Sequence, residues 1–512
     1  MALTAALLAL ALAVPAAEPR PTAAKKAPSA KNPASTSTAA AAAKPARQWS
    51  DEILYFVLVD RFADGDLTND ANADPKGKGT FHGGDLKGLT AHLDEIASLG
   101  ATAIWINPLV KNIDGHVDGV GFPDWGYHGY WADDFTRLDP RFGSEADLKA
   151  LVDACHARGI RVLLEVVYNH AGYGSHYLTD PKTKGWLRNP ALGECGKDDL
   201  TQCIGGALPD FRTELPEVAK WLMDQQLGWA KRSGVDGFRL DTVKHVSHAF
   251  WKEHRQRTRA ELGQGFFLLG EVWGGDADVL DPWFEPDEID AGFDFGFQGS
   301  AIAFLQGRGR TVAFNRYLEQ RSKVRRPGHL VAHYLSDHDV PGALFLLGGD
   351  IALFRLAAVL ELTTSGIPVI YYGEEVGRPG GKWPDNRSDM PWAGRDILPG
   401  KGLPRDEGLR RDYQKLIAIR KEHPALSRGT HQGLATDGDV YVFARRDEGS
   451  RDAVVVAVNR GSTPAKVSIA APAEWGEAAG VDLLDGSAVA REGTSIAIAL
   501  GPRHARIVAH AR

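Results

Sequence analysis

The segment Val235-Asp-Gly-Phe-Arg-Leu-Asp241 is a short, mainly apolar run that ends in an acid. Similar runs, separated by stretches with helical spacing of apolar residues, recur at 53–59, 101–106, 161–167, 235–240, 266–272, 289–295, 330–335 and 367–372. Runs without polar alternation are typical of strands covered on both faces, as in a parallel sheet. Eight such strands alternating with helices predict an α/β fold, a (β/α)8 TIM barrel over residues 48–425.

Other regions interrupt or flank this barrel. The stretch 171–214 after the third strand is rich in Gly, Pro, Asp and Lys and too long for a simple loop, which predicts an inserted subdomain. Beyond residue 425 the pattern changes to alternating strands separated by Gly/Ser turns. That pattern predicts a C-terminal antiparallel β-sandwich domain over residues 426–512.

The N-terminal residues carry the features of an export signal. Residues 1–17 contain an apolar run too short for a membrane span and end in small residues, which predicts a signal peptide. No Lys or Arg precedes the run, so an ordinary apolar tail is the alternative. Residues 18–47 have the composition of a disordered linker. We therefore expect a secreted or periplasmic protein without a membrane partner once the signal is removed.

Composition and charge limit the function classes. Apolar residues make up 43% and charged residues 24% of the chain, which are ordinary values for a soluble globular protein. The net charge of −7 disfavours nucleic acid as a partner, because a phosphate backbone needs positive charge, whereas an uncharged ligand is unaffected. We expect a monomer.

The three cysteines fit an exported protein with one disulfide. Cys195 and Cys203 lie eight residues apart in a Gly/Asp-rich stretch and are predicted to close a short surface loop. A metal site built from these two cysteines and the acids between and beside them is the alternative. Cys155 continues a helical spacing of apolar residues, which predicts a buried, inert thiol.

Three predicted strands are followed by acids, at Asp241, Glu271 and Asp339. In a barrel the carboxyl ends of the strands carry the active site. Arg239 and Asp241 point to the same face, so the guanidinium would keep this carboxylate ionised, as a nucleophile requires. Glu271 shares its face with Trp273, and apolar surroundings raise the pKa of a carboxylic acid. Helix caps or ion pairs would explain one such acid, but three together predict retaining glycoside hydrolysis.

Seven short segments carry a resemblance to a known family. In order they are Gly100-Ala-Thr-Ala-Ile-Trp-Ile-Asn-Pro108, Glu165-Val-Val-Tyr-Asn-His170, Leu208-Pro-Asp-Phe211, Gly237-Phe-Arg-Leu-Asp-Thr-Val-Lys-His245, Glu271-Val-Trp273, His338-Asp339 and Gly366-Ile-Pro-Val-Ile-Tyr-Tyr-Gly-Glu-Glu375. On these segments the chain closely resembles the α-amylase family, glycoside hydrolase family 13, over nearly all of residues 50–512. The type it resembles is a plain three-domain amylase.

The resemblance implies roles for individual residues. Asp241 would be the nucleophile, Glu271 the acid/base and Asp339 the second acid that stabilises the transition state. The residues that would contact the substrate around the cleaved bond are His128, Tyr130, His170, Arg239, Lys244, His245 and His338.

Two positions depart from the family pattern. Glu165 stands where the family normally has Asp, and Asp337 stands where Asn is common. Neither change removes a catalytic group. Because Asp337 adds a negative charge next to Asp339, we expect a pH optimum higher than with asparagine at residue 337.

The sequence also indicates calcium. The oxygen-rich stretch 64–70 and the nearby 83–85 hold ligands of the type that Ca²⁺ prefers, although their spacing is not that of an EF-hand. The run resembles a calcium loop of cyclodextrin glycosyltransferases and neopullulanases, whose ligands would map to Asp64, Asp66, Asn69, Asp70, Gly83 and Asp85. A turn that bonds its own backbone is the alternative. The second calcium site usual in amylases would use Asn169, Asp210 and the His245 carbonyl.

The substrate implied by the resemblance is an α-glucan such as starch or maltodextrin, cleaved at α-1,4 bonds through a covalent glycosyl-enzyme intermediate. The chain has neither the additional N-terminal domain usual in cyclomaltodextrinases nor the trailing domains of cyclodextrin glycosyltransferases, which favours plain hydrolysis. A cyclomaltodextrinase-like, neopullulanase-like or transglycosylating enzyme is the alternative on the same site. A non-catalytic glucan-binding protein is the alternative of another class, and the three acids argue against it.

Overall fold

The computed structural model describes residues 47–510 except 276, 285–286, 322 and 324–327. The predicted signal peptide and residues 18–46 of the predicted linker lie outside the described residues. Arg47, assigned from the sequence to the linker, donates from Nε to Glu52 Oε1 at 2.7 Å and from Nη2 to the Gly159 carbonyl at 2.9 Å. Arg47 therefore belongs to the folded part of the chain.

Eight parallel strands close into a barrel in which each strand pairs with its neighbours in sequence, and the last strand pairs with the first. These strands are β1 Leu54–Val57, β2 Ala103–Ile106, β3 Arg161–Val166, β4 Gly237–Leu240, β5 Phe267–Gly270, β6 Ala291–Phe293, β7 Leu330–Tyr334 and β8 Ile367–Tyr371. All eight predicted runs contain one of these strands, so the predicted barrel is confirmed. Nearly every strand residue is buried, because side chains fill the barrel interior on one face and helices cover the other.

The helices lie between the strands and beyond the last of them. Within the described residues the α-helices are Leu86–Ala91, Leu93–Leu99, Glu145–Ala157, Pro216–Ser233, His248–Leu262, Ala277–Phe284, Gly296–Leu305, Thr311–Arg321, Ala343–Leu346, Ile351–Thr363, Glu407–Glu422 and Pro424–Ser427. Ser144 and Asp147 form a reciprocal capping box at the start of the helix Glu145–Ala157. None of the helices in the described part is both long and apolar enough to cross a membrane.

Two excursions of the chain rise from the carboxyl ends of β2 and β3. After β2 the short strands Val110–Asn112 and Ala132–Leu138 pair with each other, and a hairpin of His116–Val117 and Asp124–Trp125 lies between them. The predicted insertion after β3 contains the paired strands Leu187–Arg188 and Asp210–Phe211. Both excursions begin at the end of the barrel where the acids lie.

The cysteines are arranged as the sequence predicted. Cys195 and Cys203 form a disulfide within the insertion. Cys155 is a free, fully buried thiol, and burial raises its pKa to about 12, so this thiol is not a nucleophile at neutral pH.

The C-terminal domain is antiparallel. Its strands are β9 Thr430–Ala435, β10 Val440–Asp447, β11 Asp452–Asn459, β12 Ala465–Ala470, β13 Gly480–Asp482, β14 Ala488–Glu492, β15 Ser495–Leu500 and β16 His504–His510. Apolar side chains of β10 and β11 form one buried cluster with those of β12 and β15, so the two ends of the sheet share a core. Other side chains of β10 and β11 belong to the core of the barrel.

Candidate active site

Asp241 and Glu271 lie side by side at the carboxyl end of the barrel. Each is the residue after a strand, β4 or β5, and each continues the parallel ladder through its backbone. The Asp241 N–H donates to the Val166 carbonyl at 3.1 Å, and the Glu271 N–H donates to the Leu240 carbonyl at 2.8 Å. Both side chains are buried.

One guanidinium group holds three carboxylates together. Arg239 contacts Asp241 Oδ1 at 2.8 Å and Glu271 Oε1 at 3.2 Å, and it also pairs with Glu165. Trp105 lies beside this group: its Nε1–H donates to Glu165 Oε2 at 2.8 Å, and its ring faces the guanidinium at 5.1 Å. Asp241 and Glu271 therefore face the same space, because they bind the same side chain.

The surroundings of Glu271 favour the protonated form of its carboxyl group. The pKa of Glu271 is raised to about 8, mainly by burial and also by the nearby carboxylates of Asp241 and Asp339, against the opposing charge of Arg239. The Thr242 N–H donates to Glu271 Oε2 at 2.8 Å. Thr242 has a φ of 50°, so its backbone lies in the left-handed region, which a non-glycine residue rarely adopts. The turn after Asp241 thus aims a backbone donor at the neighbouring acid.

Asp241 has one carboxylate oxygen engaged and one free. Oδ1 contacts Arg239, whereas Oδ2 is buried and has no hydrogen-bond partner among the described residues. A buried carboxylate oxygen without a donor is costly unless a ligand uses it. Oδ2 is therefore the atom available to react with a bound molecule.

Asp339 enters the site from the loop after β7. Its Oδ1 lies 3.0 Å from Arg387 Nη2, and its Oδ2 lies 3.2 Å from His338 Nε2. The same His338 nitrogen lies 2.7 Å from the Tyr130 hydroxyl, and the two rings are parallel with centroids 5.4 Å apart. Arg387 also donates from Nε to the His338 carbonyl at 2.9 Å, so it holds both residues of the pair.

Asp337 supports this loop. Its Oδ1 accepts the Asp339 N–H at 2.7 Å and lies 3.0 Å from His338 Nδ1. Burial alone would raise the pKa of Asp337, but His338 and these contacts lower it below its usual value. Burial would lower the pKa of His338, and the two aspartates outweigh burial and raise it. The donor atoms of Asp337, His338 and Asp339 lie within 4.8 Å of one another, an acidic group that could bind a metal ion.

The histidines predicted to bind substrate have different surroundings. His128 is buried, its Nδ1 accepts the Tyr130 N–H at 3.1 Å, and burial holds its pKa well below the usual value. His170 is also buried, which lowers its pKa, and its Nε2 has no partner within the described part of the chain. Both imidazoles are therefore neutral at pH 7.

Lys244 and His245 belong to the short 3-10 helix Val243–His245 that follows Asp241. Lys244 is half-buried, and His245 is turned toward the insertion, where its Nδ1 lies 2.8 Å from the Asp199 carbonyl. The disulfide-closed loop thus contacts the segment that carries Asp241.

The first predicted calcium group is brought together in space. The pKa of Asp64 is raised to about 6, mainly by burial and also by the negative charges of Asp70, Asp85 and Asp66. Asn69 Oδ1 and Asp70 Oδ1 are buried and have no donor among the residues that the structure describes. Unsatisfied oxygens among crowded carboxylates fit a hard cation.

Other members of the group have protein partners. Asp85 caps the helix that begins at Leu86 by accepting the Gly88 N–H, and its Oδ2 accepts the Asn69 amide at 3.1 Å. The Asp66 carboxylate pairs with Lys87, which lowers its pKa to about 2. Gly83 has a φ of 97°, and a Cβ there would lie 2.7 Å from Asp70 Oδ1, so the loop requires glycine at this position.

The second predicted calcium group is also assembled. The Asn169 amide lies 3.0 Å from the His245 carbonyl oxygen and 3.1 Å from Asp210 Oδ1. If the amide nitrogen faces these atoms, both contacts are hydrogen bonds; if the amide oxygen faces them, three oxygens converge as around a cation. Asp210 Oδ2 pairs with Arg188 at 2.7 Å, and burial raises the pKa of Asp210 to about 7.

A cavity of about 290 Å³ shares lining residues with the cluster around Asp339, and much of its lining was not predicted from the sequence. His128, Tyr130 and Arg387 connect it to the site described above. Its remaining lining residues come from the chain between β2 and the strand Ala132–Leu138, from the insertion and from the loop after β8, and they are Val117, Val120, Asp124, Trp131, Tyr173, Gly205, Leu208 and Trp383. Arg387 and Trp383 carry no motif or periodicity that singles them out; their position soon after a barrel strand is the only signal in the sequence.

Comparison with known proteins gives a consistent picture. The family model described as Alpha amylase, catalytic domain matches residues 56–188 and 202–408. A cyclomaltodextrinase of Geobacillus thermopakistaniensis (strain MAS1) is 31% identical over 88% of this chain and 76% of its own length. A periplasmic alpha-amylase of Escherichia coli (strain K12) is 32% identical over 75% of this chain and 69% of its own length.

Solved structures show the same likeness. The alpha-amylase of Geobacillus thermoleovorans complexed with acarbose has 30% sequence identity and a TM-score of 0.77, covering 91% of this chain and 99% of that one. The similarity therefore extends over the barrel and the C-terminal domain.

Proposed function

This chain belongs to the alpha-amylase family, glycoside hydrolase family 13, and on that premise we propose that its barrel hydrolyses α-1,4-glucosidic bonds with retention of anomeric configuration. The chain is an enzyme of the α-amylase type, so a non-catalytic glucan-binding role is set aside. One observation supports the assignment of catalytic residues. The two terminal nitrogens of Arg239 contact two different acids, Nη1 contacting Asp241 and Nη2 contacting Glu271.

In the first step Asp241 Oδ2 attacks the anomeric carbon of the glucosyl ring while Glu271 donates its proton to the glycosidic oxygen. The C–O bond to the leaving chain breaks, the leaving chain departs as an alcohol, and the ring becomes covalently bound to Asp241. A raised pKa of about 8 keeps Glu271 protonated at neutral pH, as this step requires.

In the second step the ionised Glu271 takes a proton from water, and the resulting hydroxyl attacks the anomeric carbon. The bond to Asp241 breaks, the sugar is released with its original configuration, and Glu271 is protonated again. Arg239 stays charged throughout and balances the negative charge that moves between Asp241 and Glu271.

Asp339 would hold the sugar hydroxyls and favour the flattened, positively charged ring of the transition state. Arg387 and His338 keep this carboxylate in place, at 3.0 and 3.2 Å. His128, His170 and Tyr130 would provide further hydrogen bonds to the same ring, and neutral imidazoles can donate or accept them.

The substrate proposed is starch, maltodextrin or a related α-glucan. Among the relatives are a cyclomaltodextrinase and a Neopullulanase 2, so action on cyclic glucans or transfer to a sugar acceptor is the second candidate. Trp273 follows Glu271 by two residues and is 48% exposed, and it favours this second candidate because an exposed aromatic ring can bind a sugar acceptor.

Calcium is part of the proposal. The residues that would hold it are Asp64, Asp66, Asn69, Asp70, Gly83 and Asp85, with Asn169, Asp210 and His245 at the second position. The ion would neutralise crowded carboxylates and hold the loops after β1 and β3 in place. The side chains of Asp66 and Asp85 would keep their present partners or exchange them for the ion.

Export is proposed as well. The apolar run and small residues within 1–17 support a signal peptide, and the relationship to a periplasmic alpha-amylase is in line with a secreted or periplasmic enzyme. A monomer that acts on a soluble or granular glucan completes the proposal.

The test is to incubate the protein with soluble starch, pullulan and β-cyclodextrin and to identify the products. We expect release of short α-maltooligosaccharides from starch, with the newly formed reducing end in the α configuration at early times by NMR. Asp241→Asn should abolish release, whereas Glu253→Gln, an exposed carboxylate on the helix His248–Leu262, should leave it unchanged. Initial β-configured products, or full activity of the Asp241 variant, would refute the proposal.

A further inference from the structure

Three arginine side chains are buried together near the amino end of the barrel, where β10 of the C-terminal domain packs against it. Arg321 ends the helix Thr311–Arg321, Arg420 lies in the helix Glu407–Glu422, and Arg445 lies in β10. None of the three is more than 6% exposed. We propose that these three residues, called here the arginine cluster, bind a small inorganic anion, a halide such as chloride. The catalytic acids lie at the opposite end of the barrel, so this inference does not depend on the proposed function.

Shared neighbours place the three guanidinium groups close to one another. Arg420 donates from Nη2 to the Gly366 carbonyl at 2.5 Å, immediately before β8, and a Cβ at Gly366 would lie 2.8 Å from Arg321 Nη2. The short helix Pro424–Ser427 accepts hydrogen bonds from both other members, from Arg420 Nη1 at 3.0 Å and from Arg445 Nε at 3.2 Å. Arg420 therefore lies between Arg321 and Arg445.

Two of the three positive charges are not paired with a carboxylate. Arg321 is paired, because its Nε lies 2.5 Å from Asp294 Oδ2. Arg420 and Arg445 donate to main-chain carbonyls, and neither forms an ion pair with an acid among the described residues. Burial, and then the charges of the neighbouring arginines, lower the pKa of each to about 9. Both still carry their proton at pH 7, so two buried positive charges require balance.

The titratable groups around the arginine cluster do not supply that balance. Burial raises the pKa of Glu361 well above its usual value, which favours the neutral acid. Asp51 is already paired with Arg428 at 2.9 Å. His333 is neutral, because its Nδ1 accepts from Arg321 Nη2 at 2.6 Å and its Nε2–H donates to the Glu361 carbonyl at 2.8 Å. The positive charge of the cluster therefore remains without a counter-charge from these groups.

Each arginine of the cluster also has a buried N–H group without an acceptor. These groups are Arg321 Nη1, Arg420 Nε and Arg445 Nη1, and none has a hydrogen-bond partner in the part of the chain that the structure describes. An unsatisfied buried donor is costly, and a ligand that accepts its hydrogen removes the cost. Water would accept these hydrogens but would leave the charge unbalanced. Three donors suffice for a monatomic anion, whereas the four oxygens of sulfate or phosphate accept more hydrogen bonds than the cluster offers.

Thermal unfolding of the full-length protein tests the proposal. Sodium chloride replaces sodium gluconate at constant ionic strength and constant calcium, since gluconate is too large for a closed site. We expect the midpoint to rise with chloride and to reach a plateau, about 2 °C or more above its chloride-free value, because an anion that binds only the folded state stabilises it. Sodium sulfate at the same ionic strength should give no plateau, because its effect comes from exclusion from the protein surface.

A pair of variants on one strand assigns the effect to the cluster. Arg445→Met should lose most of the chloride-dependent rise. Arg446→Met is the matched control: Arg446 is the next residue of β10, its side chain is 29% exposed, and it pairs with Glu474 outside the cluster, so this variant should keep the full rise. A chloride-dependent plateau of full size in Arg445→Met would overturn the proposal.

Bromide provides a second readout, which does not require that the variants fold. Crystals of the wild-type protein grown in sodium bromide should show an anomalous scattering peak between the three guanidinium groups. Density for water without an anomalous signal at that position would overturn the proposal, and so would identical midpoints in chloride and gluconate. A plateau in sulfate equal to that in chloride would overturn the assignment of a halide.

Discussion

The proton on Glu271 predicts a pH-dependent penalty for folding. The ordinary pKa of a glutamate is 4.5, and burial raises that of Glu271 to about 8 in the folded protein. Because a raised acid pKa means that the folded state resists ionisation, the contribution of Glu271 to stability is most favourable below pH 4.5, where both states hold the proton. As the pH rises from 4.5 to 8 this side chain ionises only in the unfolded state, and its contribution to the free energy of unfolding falls by about 1.4 kcal/mol per pH unit. The full loss is about 5 kcal/mol.

Glu271→Gln removes this penalty, because the amide has the shape and the neutral charge of the protonated acid. Near pH 4.5 the variant and the wild type should have the same free energy of unfolding. As the pH rises to 8.5 the free energy of unfolding of the variant should exceed that of the wild type by an increasing amount, on the order of several kcal/mol. Thermal and urea unfolding of the two proteins between pH 4.5 and 9 measures it. Glu253→Gln, whose carboxylate is already in water, should give no such pH-dependent gain. If Glu271→Gln changed the free energy of unfolding by the same amount at pH 4.5 and at pH 8.5, the reasoning would be refuted.

Four further predictions concern other parts of the site. Arg239→Met leaves three buried carboxylates without their shared cation and should lower the free energy of unfolding by about 3 kcal/mol at pH 7, measured by urea denaturation. Asp337→Asn should shift the pH optimum of starch hydrolysis downward, and an unchanged profile would contradict this. Chelation should lower the midpoint of thermal unfolding, and Asp70→Ala should reduce the rise of the midpoint with added Ca²⁺ to the part that the second position contributes. Cys203→Ser, which opens the short loop closed by the disulfide, should lower the free energy of unfolding by about 2 to 3 kcal/mol. Reduction of the Cys195–Cys203 disulfide in the wild type should lower it by the same amount.

The parts that sequence patterns predicted depend on local regularities. Eight apolar runs without polar alternation indicated strands covered on both sides, and the barrel follows because such strands pair with their sequence neighbours. The acids at 241, 271 and 339 could be selected because the carboxyl ends of barrel strands meet at one end of the barrel. The disulfide and the buried Cys155 were predicted from spacing alone.

The parts that were not predicted depend on loops. Arg387 holds Asp339 and His338 from a position about fifty residues further along the chain, and no periodicity marks it. Asp124 and Trp383 come from separate loops and meet only at the cavity wall. The partner of Asp66 was also not foreseen, because Lys87 lies on a helix whose direction the sequence does not specify.

For this protein the sequence by itself determined the order of strands and helices, the family and the chemical types of the groups at the strand ends. The tertiary structure alone decided that one guanidinium is shared by Glu165, Asp241 and Glu271, and that burial is the main cause of the raised pKa of Glu271. The physical reason is that burial and charge at a side chain depend on atoms from many distant segments. A pattern along the chain records each residue's type, whereas its pKa and its partners arise only when the barrel closes and brings these segments together.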